Sequence, residues 1–273
     1  MLLRNDKNII NSLEEINNLT SVLNVMKYFD QDTLVIFDID DVLIMPIEED
    51  DFRHPWRLNL LNSIINLMNK NQKIFLESII FANTKRILVD RLILNILDYL
   101  KLNKISTIAL TATGSGRFGV IPRIENFRIK ELNNTGISFT NLNKLNDNYF
   151  ANDLKNYYKV YPKASGLPCL KSGIIFAAGI DKGSVLEHIL YKYNYLPKKI
   201  IFIDDYLYNV VSIQQLCIKL KISFYGFHYK ATSLKPLPVI NSQLEIVRFK
   251  ILKNEHKWLN YEQLNKFKHL CNN

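Results

Sequence analysis

Three runs of apolar residues, each stopping at polar ones, constrain this chain more than any other feature. Leu34-Val35-Ile36-Phe37 runs into Asp38-Ile39-Asp40-Asp41, Ser106–Leu110 into Thr111-Ala112-Thr113-Gly114, and Ile200–Ile203 into Asp204-Asp205. Runs this apolar, without alternation, predict strands covered on both faces, as in a parallel sheet. Helical spacing dominates residues 56–102, and helices are predicted at 182–194 and around 209–220. Strands alternating with helices predict an α/β fold: a three-layer, doubly wound (Rossmann-like) parallel sheet with helices on both faces. In such an open sheet the ligand crevice lies beyond the carboxyl ends of the strands. If the three strands are neighbours, Asp38, Asp40, Thr111, Asp204 and Asp205 share that crevice.

Four carboxylates in one place repel and raise one another's pKa unless a cation compensates. Oxygen donors without His or Cys select Mg²⁺, which keeps waters and also binds phosphate. The Asp38-x-Asp40 spacing, on an extended segment, projects both side chains to the same side. One can attack while the other manages protons. A carboxylate can attack phosphorus and form an aspartyl-phosphate, provided the repulsion between two anions is offset. Lys182 is the candidate ammonium. It opens the 182–194 helix beside Gly183, where a cation opposes the helix dipole at a cost of about 0.3–1 kcal/mol.

Taken in order, these segments resemble the haloacid dehalogenase (HAD) superfamily of phosphatases. Phe37-Asp38-Ile39-Asp40-Asp41-Val42-Leu43 matches its first motif, Ile108-Ala109-Leu110-Thr111 its second, Asp181-Lys182-Gly183 its third and Ile203-Asp204-Asp205 its fourth. The resemblance implies that Asp38 is nucleophile and Mg²⁺ ligand. Asp40 would protonate the leaving oxygen and then activate water, its backbone carbonyl completing a metal contact. Thr111 and Ala112 would bind the phosphoryl group, Lys182 would steady nucleophile and phosphate, and Asp204 and Asp205 would hold the metal. Asp41 departs from the glycine common at that place and is expected to face solvent. Phe37 to Leu43, Gly136-Ile137-Ser138-Phe139 and Phe227-His228-Tyr229 are similar to an uncharacterised bacterial branch of the superfamily, found in intracellular bacteria, with no settled substrate.

The remaining chain sets the domain expectations. An amphipathic helix is predicted over residues 9–29, from Ile10, Leu13, Ile16, Leu19, Val22, Leu23 and Met26. Another is predicted from Ile87 to Leu100, with Leu88, Leu92, Ile96 and Leu100 on one stripe. Short strands are expected at 173–177 and 222–225, and C-terminal helices containing Trp258. The core is expected at 1–113 and 176–273, with a cap insertion at 114–175 and a second candidate lid in the helical stretch 47–86. Caps of this kind exclude water and select substrate. Arg117 and Arg123 are possible partners of a substrate anion. Gly114-Ser115-Gly116-Arg117-Phe118-Gly119 fits a dinucleotide fingerprint, but Pro122 delays the helix that such a site requires, so no dinucleotide cofactor is expected.

With 35 Lys and Arg against 26 Asp and Glu, the chain carries a net charge of +9. The lysines are spread along the chain without a basic stripe, which argues against a nucleic-acid partner and suits a small phosphorylated substrate. The three cysteines form no CxxC pair, so no zinc site is expected. No apolar stretch reaches the ~18–20 residues of a membrane span, and charged residues break any leader near Met1. The default expectation is a cytoplasmic protein, with export as an effector left open. The expected function is a Mg²⁺-dependent phosphohydrolase acting on a phosphate monoester. The alternatives are a phosphotransferase on the same site or a catalytically weak HAD-fold binding or effector protein.

Overall fold

A computed structural model of the chain describes residues 9–47, 54–66, 68–139, 166–260, 262–264 and 266, and the backbone of 149–150. It divides into two compact units. The first comprises residues up to Met45, Leu88–Gly116 and Glu125–Leu234; the second comprises Pro46–Ile87, Arg117–Ile124 and the chain from Lys235 onward.

The first unit is built on one sheet. Its strands are β1 (Asn11–Ile16), β2 (Thr33–Phe37), β5 (Ser106–Thr111), β6 (Tyr149–Phe150), β7 (Cys169–Lys171), β8 (Ile174–Phe176), β9 (Lys199–Asp204) and β10 (Ser223–Tyr229). Strands β3 (Ile44–Pro46) and β4 (Arg86–Leu88) form a separate pair where the chain passes to the second unit and returns. The order is β1-β10-β9-β2-β5-β8-β7-β6, parallel from β1 to β8 and antiparallel for the last two pairings.

Strand pleating explains the three layers. Val35, Phe37, Ala109, Ile201 and Ile203 point to one face. There they meet helices α1 (Thr20–Met26), α4 (Leu92–Leu102) and α5 (Ile124–Asn134) through Val22, Met26, Ile93, Ile96, Leu97, Leu100 and Leu132. Leu34, Ile36, Ile108, Leu110, Ile200 and Phe202 point to the other face. Helices α6 (Lys182–Lys192) and α7 (Leu207–Leu220) cover that face with Val185, Leu186, Ile189, Val210 and Ile213. All five β2 residues are buried, which is why this strand shows no alternation. Burying each large apolar side chain stabilises the unit by about 1.5–3 kcal/mol. The fold is α/β, a doubly wound sheet flanked by helices on both faces.

The chain runs from β2 to β5 and β8 on one side, then returns to β9 and β10 on the other. The order therefore reverses between β2 and β9, and ligands bind at such switch points.

The second unit contains α2 (Pro55–Ile65), α3 (Lys70–Asn83) and α8 (Ser242–Glu255). Leu76, Ile79, Ile80, Phe249, Leu252 and Trp258 form its core. Buried Arg57 donates to Glu245 at 2.6 and 3.1 Å, and the Arg248 guanidinium stacks over Trp258 at 3.7 Å.

Three local expectations need correction. The helix predicted over 9–29 is the edge strand β1 followed by the shorter α1. Only Ile16 of β1 is buried, so its threefold apolar spacing marks no helical face, and the open edge of β10 captures the backbone. Leu88 belongs to β4 and the helix begins at Leu92; α4 buries Ile96 and Leu100 of the predicted stripe, together with Ile93 and Leu97. Trp258 lies past the end of α8. Of the expected cap at 114–175, residues 140–148 and 151–165 lie outside the described residues, as do Glu48, Asp50, Asp51 and Arg53 of the second candidate lid.

Candidate active site

Asp38 follows β2 directly, and its backbone N–H donates to the Ile203 carbonyl at 2.9 Å, keeping it on the ladder with β9. Alternation then sets its direction. Asp38 continues the Leu34–Ile36 face, and Asp204 the Ile200–Phe202 face, so both point toward the layer containing α6. Lys182 is the first residue of α6. The three side chains meet: the Lys182 ammonium donates to Asp38 at 2.8 Å and to Asp204 at 2.7 Å. All three residues are buried, Asp204 completely.

The helix start that carries Lys182 is held from below. Asp181 caps α6, accepting from the backbone N–H and the hydroxyl of Ser184 at 2.8 and 2.9 Å and from the Ser212 hydroxyl. The Ser212 hydroxyl in turn accepts from the Gly183 N–H at 3.0 Å. A Cβ at Gly183 would stand 2.5 Å from that hydroxyl oxygen, so the close approach of α6 to α7 requires glycine.

Asp204 accepts further hydrogen bonds, from the Tyr206 N–H at 2.8 Å and from the Asn209 amide at 3.0 and 3.1 Å. Asn209, in the first turn of α7, was not expected as a site residue, and no spacing signal in the sequence marks it. The Asp205 carbonyl accepts from His228 Nε2 at 3.1 Å, so that ring nitrogen carries a proton.

Among the described residues, Asp38, Asp204 and Asp205 each offer an oxygen within 4.8 Å of the others. The Lys182 ammonium contacts two of these carboxylates, and the shortage of positive charge raises the acids' affinity for protons. Burial, Asp204 and Asp40 raise the Asp38 carboxyl well above the usual carboxylate range, although Lys182 pulls it down. Burial, Asp204 and Asp41 push Asp205 up to about 7. Burial lowers the Lys182 pKa, but Asp38 and Asp204 outweigh it and hold the ammonium protonated. Carboxylate oxygens, close together and short of positive charge, fit a hard divalent cation such as Mg²⁺.

Asp40 behaves differently. The chain turns immediately after Asp38, where the Ile39 carbonyl accepts from the Leu43 and Ile44 N–H groups at 3.0 Å. The Asp40 carboxylate accepts from Arg128 at 2.7 Å and is half exposed. The Asp40 side chain is not one of the three acids whose oxygens lie together, although its charge acts on Asp38. The expectation for Asp41 is corrected. This residue is half buried, its charge acts on Asp205, and its φ of +61° is the left-handed backbone that explains a glycine preference at this place.

Thr111 ends β5 and is buried; its hydroxyl is a 3.2 Å partner of the Thr113 hydroxyl and accepts the Thr113 N–H at 3.1 Å. Ala112 is exposed, and its carbonyl accepts the Gly179 N–H at 2.8 Å. Neither bonds directly to the acids. Arg117 and Arg123 are exposed and belong to the second unit. Helix α5 begins at Ile124, five residues beyond Gly119 of the GxGxxG sequence.

Residues 12–265 match one family model, described as "Protein of unknown function (DUF2608)". The chain belongs to the DUF2608 family. Its relatives include a Chlamydia trachomatis protein named "Putative outer membrane protein", 34% identical over 90 residues, which are 32% of this chain and 34% of that protein. A Rickettsia bellii protein named "Uncharacterized protein" is 24% identical over 234 residues, 79% of this chain and 76% of its own length. The match thus spans about a third of the Chlamydia protein and three quarters of the Rickettsia one. Two solved structures, each 14% identical, align with the DUF2608 chain. One is titled "putative beta-phosphoglucomutase" from Thermotoga maritima, covering 87% of this chain and 99% of its own, TM-score 0.37. The other is a "putative haloacid dehalogenase-like hydrolase" from Burkholderia xenovorans, covering 81% and 99%, TM-score 0.39. No helix among the described residues is long and apolar enough to cross a membrane.

Proposed function

We propose that this DUF2608 protein is a phosphohydrolase of the HAD type, cleaving a phosphate monoester through an aspartyl-phosphate on Asp38. The observation that carries the reading is the junction of Asp38, Lys182, Asp204 and Asp205 at the switch point of the sheet. The first, third and fourth sequence motifs supply these residues, in that order.

Asp38, Asp204 and Asp205 would hold Mg²⁺, which when bound supplies charge compensation to the carboxylates and the phosphoryl oxygens. The carboxylate of Asp38 attacks phosphorus, and the bond to the leaving oxygen breaks. Asp40 gives that oxygen a proton. Asp40 then takes a proton from water, which attacks the phosphoryl group and restores Asp38. Lys182 keeps Asp38 aimed and offsets negative charge as it develops. Thr111 and Ala112 are assigned to the phosphoryl pocket on motif position alone. Substrate selection is assigned to the insertions 114–175 and 47–86, and the substrate is a small phosphorylated molecule. An acceptor hydroxyl in place of water would make the same machinery a phosphotransferase.

The test is turnover of p-nitrophenyl phosphate and a panel of phosphomonoesters with Mg²⁺ or EDTA, for wild type and Asp38→Asn. The expected result is Mg²⁺-dependent turnover that Asp38→Asn abolishes without loss of fold. A wild type inactive across the panel favours a binding or effector role, and an active Asp38→Asn removes Asp38 as nucleophile.

A further inference from the structure

Arg128 is fully buried on α5, yet no motif accounts for it. Its guanidinium joins two carboxylates: one nitrogen donates to Glu131 at 2.6 Å, one turn along the helix, and another to Asp40 Oδ1 at 2.7 Å. Burial alone would lower its pKa, but Asp40 and Glu131 raise it above the usual arginine value. A buried guanidinium is strongly unfavourable unless paired, so its hydrogen bonds to Asp40 and Glu131 are held.

We propose that Arg128 is the positioning residue for Asp40, deepening the phosphohydrolase reading on which it rests. The hydrogen bond occupies Oδ1, and with the side chain 47% exposed, Oδ2 remains available to exchange a proton with a leaving group or water. Held this way, Asp40 stays out of the Asp38–Asp204–Asp205 group, where a free carboxylate would join the ligands of a cation. The planar guanidinium, braced by Glu131, sets direction as well as charge, which a lysine cannot reproduce fully. Arg128 does not touch the reacting atoms; it acts through Asp40.

The discriminating substrates differ in their need for an acid. p-Nitrophenolate leaves without a proton, whereas an alkoxide needs one. In the full-length chain, Arg128→Met is expected to lower kcat/KM for glycerol phosphate by about 10²–10⁴-fold, the usual worth of acid–base assistance. The burst of p-nitrophenolate that reports attack by Asp38 should remain unchanged. Arg128→Lys, which retains the buried charge, should recover part of the loss. A burst of p-nitrophenolate slowed as much as kcat/KM for glycerol phosphate, or full activity of Arg128→Met on glycerol phosphate, would overturn the proposal. Crystal structures of wild type and both variants supply a readout independent of turnover. Asp40 should leave its place in Arg128→Met while the Lys182–Asp38 contact persists; an unmoved Asp40 contradicts the positioning role. If the wild type hydrolyses neither substrate, the phosphohydrolase reading falls, and the place of Asp40 alone decides what Arg128 does.

Discussion

At Asp205 the folded chain holds its proton more tightly than the unfolded chain does. Burial comes first, then the charges of Asp204 and Asp41, moving the carboxyl from an ordinary 3.8 to about 7. With the folded value raised, the contribution to stability is fully present below about pH 4 and is lost as pH rises through 7. In EDTA, wild type should therefore lose melting temperature between pH 6 and pH 8, and Asp205→Asn should lose less. Mg²⁺ should restore more stability at pH 8 than at pH 6, because proton and cation compete for one carboxylate. Equal Mg²⁺ gains at both pH values would contradict the role of Asp205. The acids themselves are legible in the sequence because each ends an apolar run. The surroundings that tune them are not: Asn209, Arg128 and the left-handed Asp41 come from segments whose own spacing says nothing about where they meet.

The elements that place these residues are unevenly legible in the sequence, for physical reasons. Strands β2, β5 and β9 were plain because both their faces are buried and apolar residues crowd together without alternation. Strand β1 is hidden because pairing with β10, sixteen elements later in the chain, outweighs a local pattern resembling a helix. Helix α6 was legible from its opening Asp181-Lys182-Gly183-Ser184, and its cap has a measurable consequence. Asp181→Ala removes the bonds from Ser184 and Ser212, at a cost of about 1 kcal/mol, typical of a lost N-cap. A drop in melting temperature of about 2–4 °C is expected for a unit of this size. Turnover should fall as well, since Lys182 is the next residue. An unchanged melting temperature would show that the cap does not hold the helix start.

For the whole molecule, the relevant quantity is the excess of positive charge, +9. A field of that sign raises the local concentration of a phosphate dianion, and salt screens it over a length of about 10 Å at 0.1 M. KM for a phosphomonoester should therefore rise between low salt and 0.3 M NaCl at fixed Mg²⁺, while kcat changes little. A salt-independent KM would limit recognition to the buried site. The two-unit organisation was only partly legible. Residues 47–86 read as helical, but nothing in the sequence joined them to 117–124 and to the chain after Lys235. That grouping depends on long-range packing such as Arg57 with Glu245.

Chemical trapping of the phosphorylated residue tests the account most directly. The protein is mixed with p-nitrophenyl phosphate and Mg²⁺, quenched in acid, reduced with borohydride and digested for mass spectrometry. Reduction of an acyl phosphate converts the aspartate that carried it into homoserine. The prediction is homoserine at position 38 alone, present with Mg²⁺ and absent with EDTA. Intact Asp38 in protein that is turning the substrate over, or label on another residue, would contradict Asp38 as the attacking group.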